Sequence, residues 1–303
     1  MRCKLPVNHG QSRQREPKPN VHCGRSPAWG AEKPARRTAF TLIELLVVIG
    51  ILAILAAILL PALTRVRDRA HSICCVSNLK QLQAAWLMYV QDNNDNLPPN
   101  ITRMANGALE AAPGSWVIGN AQLDSTVTGI KSGLLYKYVG AGIYRCPADR
   151  STVAGRPNLP RFRGYSLNWW LSGISEEQGV GCGPESNCRL SEPVPALPED
   201  KNKYSQLLAF GPGRIFAFID EQEQSIDDGA MMVPIDMYGR VDQWWDLPSD
   251  RHNLGCNLSF ADGHVNRWHW KSPKKFQGHH QHTANPLDDE DLYRLKASSV
   301  TNP

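Results

Sequence analysis

One unbroken apolar stretch lies near the start of the chain, and everything after it is punctuated. Residues 45–63 run for 19 positions without a charged side chain. At about 1.5 Å rise per residue, a helix of that length crosses a bilayer. Past Pro61 the apolar residues thin to a stripe. Val66, Ala70, Ile73, Val76, Leu79, Leu82, Trp86 and Tyr89 recur every three or four positions, with Arg67, Asp68, Arg69, Lys80, Gln81 and Gln83 largely on other faces. Asp92-Asn93-Asn94-Asp95-Asn96-Leu97-Pro98-Pro99 then stops the pattern with turn-formers and two prolines. The prediction is a helix over 40–96, with 40–63 in a membrane and the remainder packed on a domain.

Downstream the helical stripe gives way to short strand-like runs and long loops. Runs at 116–118, 143–146, 165–169, 215–219 and 231–233 predict strands. Residues 257–261 and 264–268 flank Asp262-Gly263, which predicts a hairpin closed by a type I′ turn. The expected fold class is α+β, a long N-terminal helix laid on an antiparallel sheet. A β-rich globular domain spans 97–272. Residues 273–303, with His279-His280-Gln281-His282 and Leu287-Asp288-Asp289-Glu290-Asp291, read as a partly disordered tail.

Charge changes the picture at one end. Residues 1–39 carry nine Lys and Arg against two Asp and Glu, so the net charge of +4 leaves the rest of the chain at −3. That removes the electrostatic case for nucleic-acid binding by the globular part. The basic, Pro-rich leader 1–39 has no apolar periodicity and is expected to be disordered. Its charge holds the N-terminal side in the cytoplasm and sends the domain outside, as a single-pass protein of a bacterial inner membrane. Three plainer readings compete. The apolar core is too long for a secretory signal and lacks Ala-x-Ala between Ala53 and Thr64. A lipoprotein needs a cysteine soon after the core, yet the first is Cys74. A bare anchor leaves Glu44 unexplained, since a carboxylate near the bilayer centre costs about 2.5–3.5 kcal/mol.

Ala39-Phe40-Thr41-Leu42-Ile43-Glu44 followed by Leu-Leu-Val-Val-Ile resembles the class III signal of type IV pilins and type II secretion pseudopilins. The resemblance implies a pilin-like fold and cleavage between Ala39 and Phe40 by a prepilin peptidase, which also N-methylates Phe40. Ala39 stands where the family usually has glycine. Glu44 matches the glutamate that pairs with a neighbouring subunit's terminal amine during assembly, and Pro61 the helix-kinking proline. The implied partners are the peptidase, other pilin or pseudopilin subunits and the inner membrane. A second set, Cys75-Val76-Ser77-Asn78-Leu79-Lys80-Gln81, Tyr144-Arg145-Cys146-Pro147-Ala148-Asp149 and His252 separated by nine residues from Asp262-Gly263, is similar to a pseudopilin-like group named for its H-x9-DG signature. That likeness implies architecture and no enzyme activity. It also implies a Cys75–Cys146 disulfide, which would pin sheet to helix and contribute about 2–4 kcal/mol.

Other chemistry is weighed against plainer roles. His252, Asp262, His264 and His269 are metal-capable, but neighbouring strand positions face opposite ways, so the turn and a hydrogen-bonding His252 are preferred and no metal is expected. Calcium at Asp92, Asn93, Asn94, Asp95 and Asn96 competes with helix termination, which is preferred because the spacing lacks an EF-hand's Gly and Glu. Asp220-Glu221-Gln222-Glu223 reads as a solvated turn rather than a catalytic carboxylate pair. Cys182 and Cys188 are spaced to close a short loop, with zinc as the rival reading although no C-x2-C pair occurs, and a Cys74–Cys256 pair is left open. Trp169, Trp170, Trp244 and Trp245 offer an adhesin reading, and His252 with Asp262 an anchored-enzyme reading. A structural assembly subunit without catalytic residues leads both.

Overall fold

The computed structural model describes residues 41–171, 202–234 and 242–299. Ala39, Phe40, Cys182 and Cys188 lie outside the described residues. The chain divides into two compact units, Met1–Ile54 and Leu55–Pro303. Helix α1 (Leu42–Asp92) begins in the first and ends in the second.

In the first unit the helix starts at a reciprocal cap. The Glu44 amide donates to Thr41 Oγ1 at 3.3 Å, and Glu44 Oε2 accepts from the Thr41 amide at 2.9 Å and its hydroxyl at 2.7 Å. Two helix-end groups are thus satisfied by two side chains. Every described residue of this unit is exposed, so among the described residues nothing packs on the apolar surface of α1 here.

In the second unit α1 runs on through Pro61, and the Thr64 hydroxyl donates to the Pro61 carbonyl at 2.9 Å. Burial begins later than the predicted stripe. Val66 and Ile73 are exposed, and the buried face is Cys75, Leu79, Leu82, Trp86 and Val90, at helical steps of four, three, four and four. The helix ends at Asp92, where Asn94 and Asp95 take positive φ.

After a hairpin of β1 (Thr102–Ala105) and β2 (Ala108–Ala111) come the short helix α2 (Thr128–Ser132) and a small ribbon of β3 (Thr152–Val153) and β4 (Arg156–Pro160). The predicted strands at 116–118 and 143–146 are absent. Trp116 sits in a loop, where its Nε1 donates to the Gly229 carbonyl at 3.2 Å, and Ile143 ends a 3-10 turn. The main sheet contains β5 (Tyr165–Asn168), β6 (Phe216–Asp220), β7 (Ala230–Met231), β9 (Gly255–Phe260) and β10 (Val265–His269) in the order β10-β9-β6-β5-β7. All its pairings are antiparallel except β5 with β7. A four-residue helix α3 (Tyr204–Leu207) lies between β5 and β6, and β8 (Gln243–Trp244) pairs with β11 (Gln281–His282).

Both faces of the sheet are covered. Ala217, Phe218, Tyr165 and Leu167 join the α1 residues in one core. Phe216, Ile219, Cys256, Leu258 and Phe260 face a second core closed by Leu292 and Leu295. Those two leucines belong to α4 (Pro286–Lys296), in the segment expected to be a loose tail. Asn285 caps α4, accepting from the Leu287 and Asp288 amides, and Pro286 follows at the first turn. Burying each leucine contributes about 1.5–3 kcal/mol. Lys274 Nζ, fully buried, bonds Asp288 at 2.5 Å and Asp291 at 2.8 Å and lies over the Trp244 and Trp270 rings. This ion triad and the leucines fasten the segment to the domain.

Candidate functional site

Two places concentrate chemistry, one in each unit. The first is the start of α1. Its carboxylate, Glu44, is held by its own capping residue, and the Thr-x-x-Glu spacing that announces such a cap stands in the sequence unremarked. The residues around it offer lipid or another protein an uninterrupted apolar surface. The helix from Leu42 is long and apolar enough to cross a membrane.

The second place is buried beneath the sheet. Cys75 comes from α1, Cys146 from the loop after the 3-10 turn at Ile143, Asp220 from the last position of β6, and His252 from the turn before β9. One donor atom from each lies within 4.8 Å of all the others. His252 Nε2 is 3.2 Å from Cys146 Sγ and 3.5 Å from Asp220 Oδ2. The Tyr165 hydroxyl donates to Cys75 Sγ at 3.2 Å, and Arg251 Nη1 lies 3.4 Å from Asp220 Oδ1. All four residues are buried.

Burial governs the charges here. It pushes the Cys146 thiol far above its ordinary range, with Cys75 and Asp220 acting in the same direction. Burial also opposes charge on His252, but hydrogen bonding to Asp220 and then to Cys146 outweighs it and raises the imidazole to about 9. For Asp220 burial is overcome by the Arg251 charge and the His252 hydrogen bond, so its carboxyl sits below the usual value. Asp220 and Glu221 are therefore not a solvated turn. Glu221 is buried as well, accepting from the Ser166 and Ser225 hydroxyls, and burial raises its carboxyl.

The predicted residues are redistributed. Cys75 and Cys146 do come together, both as free thiols. His252 joins them, whereas Asp262 pairs with His264 at 2.6 Å on an exposed turn. That turn is not type I′. Gly263 has φ +101° and Asp262 does not share a positive φ, while the Gly263 amide donates to the Phe260 carbonyl. The three-residue loop matches a type I turn closed by glycine in the left-handed region. Gly263 also faces α1, where an added Cβ would meet Leu87 at 3.5 Å. Asp92 accepts from the Tyr138 hydroxyl and Asp95 from the Ser205 amide, uses consistent with helix termination. His279 and His282 pair with Asp246 and Asp242. Trp170 and Trp244 are core, donating to the Val233 carbonyl and to Asp288. Asp220 was weighed only as part of a carboxylate run, and Arg251 and Tyr165 carried no signal as site residues, because nothing near them in the sequence marks a convergence across up to 177 positions.

Residues 34–60 match the family model of the prokaryotic N-terminal methylation motif. Over 55 residues the chain is 49% identical to the type IV wide pilus major component PilA4 of Thermus thermophilus, covering 18% of this chain and 42% of that protein. Over 59 residues it is 41% identical to the type II secretion system core protein G of Pectobacterium carotovorum subsp. carotovorum, covering 20% of this chain and 38% of that protein. The chain thus spans less than half the length of the curated relatives it matches. No solved structure matches it.

Proposed function

We propose that this chain is a structural subunit of the pilin and pseudopilin class. A prepilin peptidase cuts it between Ala39 and Phe40 and methylates Phe40, and the subunit then polymerises through the apolar part of α1. The observation that carries this reading is the methylation motif over 34–60, running into an apolar helix whose described residues up to Ile54 are all exposed. An apolar surface of that extent needs lipid before assembly and neighbouring helices after it. Glu44 pairs with the methylated amine of an adjacent subunit, an arrangement in which a buried carboxylate is tolerable. The globular unit lies outside the inner membrane, and its partners are other subunits rather than nucleic acid. The role is architectural, and no residue is assigned to catalysis.

Intact-mass and N-terminal analysis of protein recovered from the native membrane tests the reading. The expected terminus is N-methylated Phe40. An intact leader, or a cut near residue 64, overturns it. Glu44→Ala is expected to abolish incorporation into filaments and to leave the globular unit folded.

A further inference from the structure

The buried group of Cys75, Cys146, Asp220 and His252 has a donor set, a geometry and a surrounding shell that together describe a metal site. We propose that these four side chains bind one zinc ion, which clips α1 to the sheet. The inference is independent of the assembly reading and concerns the globular unit alone.

Donor chemistry comes first. Two thiolates, an imidazole and a carboxylate suit tetrahedral zinc, whose ligands lie at about 2.3 Å for sulfur and 2.0–2.2 Å for nitrogen and oxygen. A regular tetrahedron with those bond lengths has ligand–ligand edges of about 3.3–3.8 Å. The His252 Nε2 to Asp220 Oδ2 separation of 3.5 Å falls among such edges, and the Cys146 Sγ to His252 Nε2 separation of 3.2 Å lies just below them. The remaining edges lie within 4.8 Å, so small rotations of the cysteine side chains close the polyhedron.

The surroundings supply a second argument. Asp220 is wholly buried, and its contacts with Arg251 Nη1 at 3.4 Å and His252 Nε2 at 3.5 Å are long. Contacts of that length leave a buried carboxylate able to gain from a cation at bonding distance. Arg251 flanks the far oxygen at 3.4 Å and offsets the surplus negative charge that two thiolates and a carboxylate leave around a divalent ion. The Tyr165 hydroxyl, donating to Cys75 Sγ, supplies an outer-shell bond of the kind that orients a metal ligand.

Four protein ligands leave no open position, so the ion is structural rather than catalytic. It joins chain segments from positions 75, 146, 220 and 252, and so ties the packed part of α1 to the sheet and to the turn before β9. The H-x9-DG pattern thereby separates into two jobs, a ligand at His252 and a hairpin turn at Asp262-Gly263. Binding displaces one proton from each cysteine thiol and the proton on His252 Nε2, all to solvent.

The test uses full-length protein taken from membranes in detergent, anaerobically and without chelator. Elemental analysis is expected to give about one zinc per chain. Cys75→Ser and His252→Ala should lose most of that zinc, and Cys74→Ser should keep it. Cobalt exchange into the unmutated protein provides a readout that does not depend on the variants folding, with the absorption of a tetrahedral dithiolate site expected. Chelation should lower the thermal midpoint. The proposal is overturned if anaerobic protein incubated with zinc retains none, or if protein alkylated at lysis yields a peptide joining Cys75 to Cys146.

Discussion

The apolar start of α1 and the packed end of the same helix follow opposite rules. In the first unit Leu42, Ile43 and Leu52 are 76%, 69% and 58% exposed, and their order along the chain is what identifies them. In the second, Cys75, Leu79, Leu82 and Trp86 are fully buried, and their meaning comes from what the fold brings against them. One helix thus contains a segment that is complete as a local message and another that is legible only with the whole domain in place. The first must find its environment in lipid or in neighbours, and the second makes its own.

Mutations can sharpen or break that contrast. Trp116 stacks on Tyr144 at 5.9 Å and meets Phe218 edge-on at 5.1 Å, so Trp116→Ala is expected to destabilise the globular unit by about 3–5 kcal/mol. Leu52→Ala, in the apolar segment, should leave the same unfolding transition unmoved. Equal losses in a denaturant melt would break the distinction between the two regions. Lys274→Ala leaves Asp288 and Asp291 buried without their cation, at a cost of about 3–5 kcal/mol. Its first sign should be protease cleavage around α4, and a resistant C-terminus would mean that the leucines alone hold the helix.

The smallest expected effect is a pH dependence. The His279 imidazole is raised to about 9, chiefly by its hydrogen bond to Asp246 and against the opposing effect of burial. It also faces Asp227 at 3.9 Å and the Trp245 carbonyl at 3.3 Å. A raised histidine contributes stability that is fully present below its ordinary 6.5 and is lost as pH climbs through about 9. Burial, with Asp228 and Asp246, raises Asp227 to about 8, so its ionisation disfavours the fold over part of the same window. The His279 ring is 38% exposed, so water screens the pair and its share should stay under about 1 kcal/mol. Denaturation midpoints at pH 6 and pH 9 should differ less in His279→Ala than in the parent.

How much could be read in advance depended on the range of the interaction. The apolar run, a helix stop in the 92–99 segment and the β9–β10 hairpin are set by neighbours in sequence and stand in the structure, although the helix ends at Asp92, short of the predicted 96. The hairpin's turn type was not legible, because Asp-Gly serves both a two-residue loop and the end of a three-residue one. Helix α4 was legible and misread. Asn285-Pro286 followed by Asp288 and Asp289 is a helix start, yet the density of charge suggested a tail. The convergence of Cys75, Cys146, Asp220 and His252 had no local signature at all. Asp220 was misjudged because acidic residues at a strand end are usually wet, whereas here Arg251 and His252 make a buried carboxylate tenable.

The cap at the start of α1 bears on how a subunit waits. On the proposed assembly reading, a lone subunit in the bilayer would not carry a naked carboxylate, because Glu44 is already occupied by the Thr41 amide and hydroxyl. Joining a filament would then be a handover, in which one set of hydrogen bonds is released as the charged amine arrives. The driving force at that position would be the difference between two satisfied states, leaving the extended apolar contact to supply most of the grip and Glu44 to decide alignment.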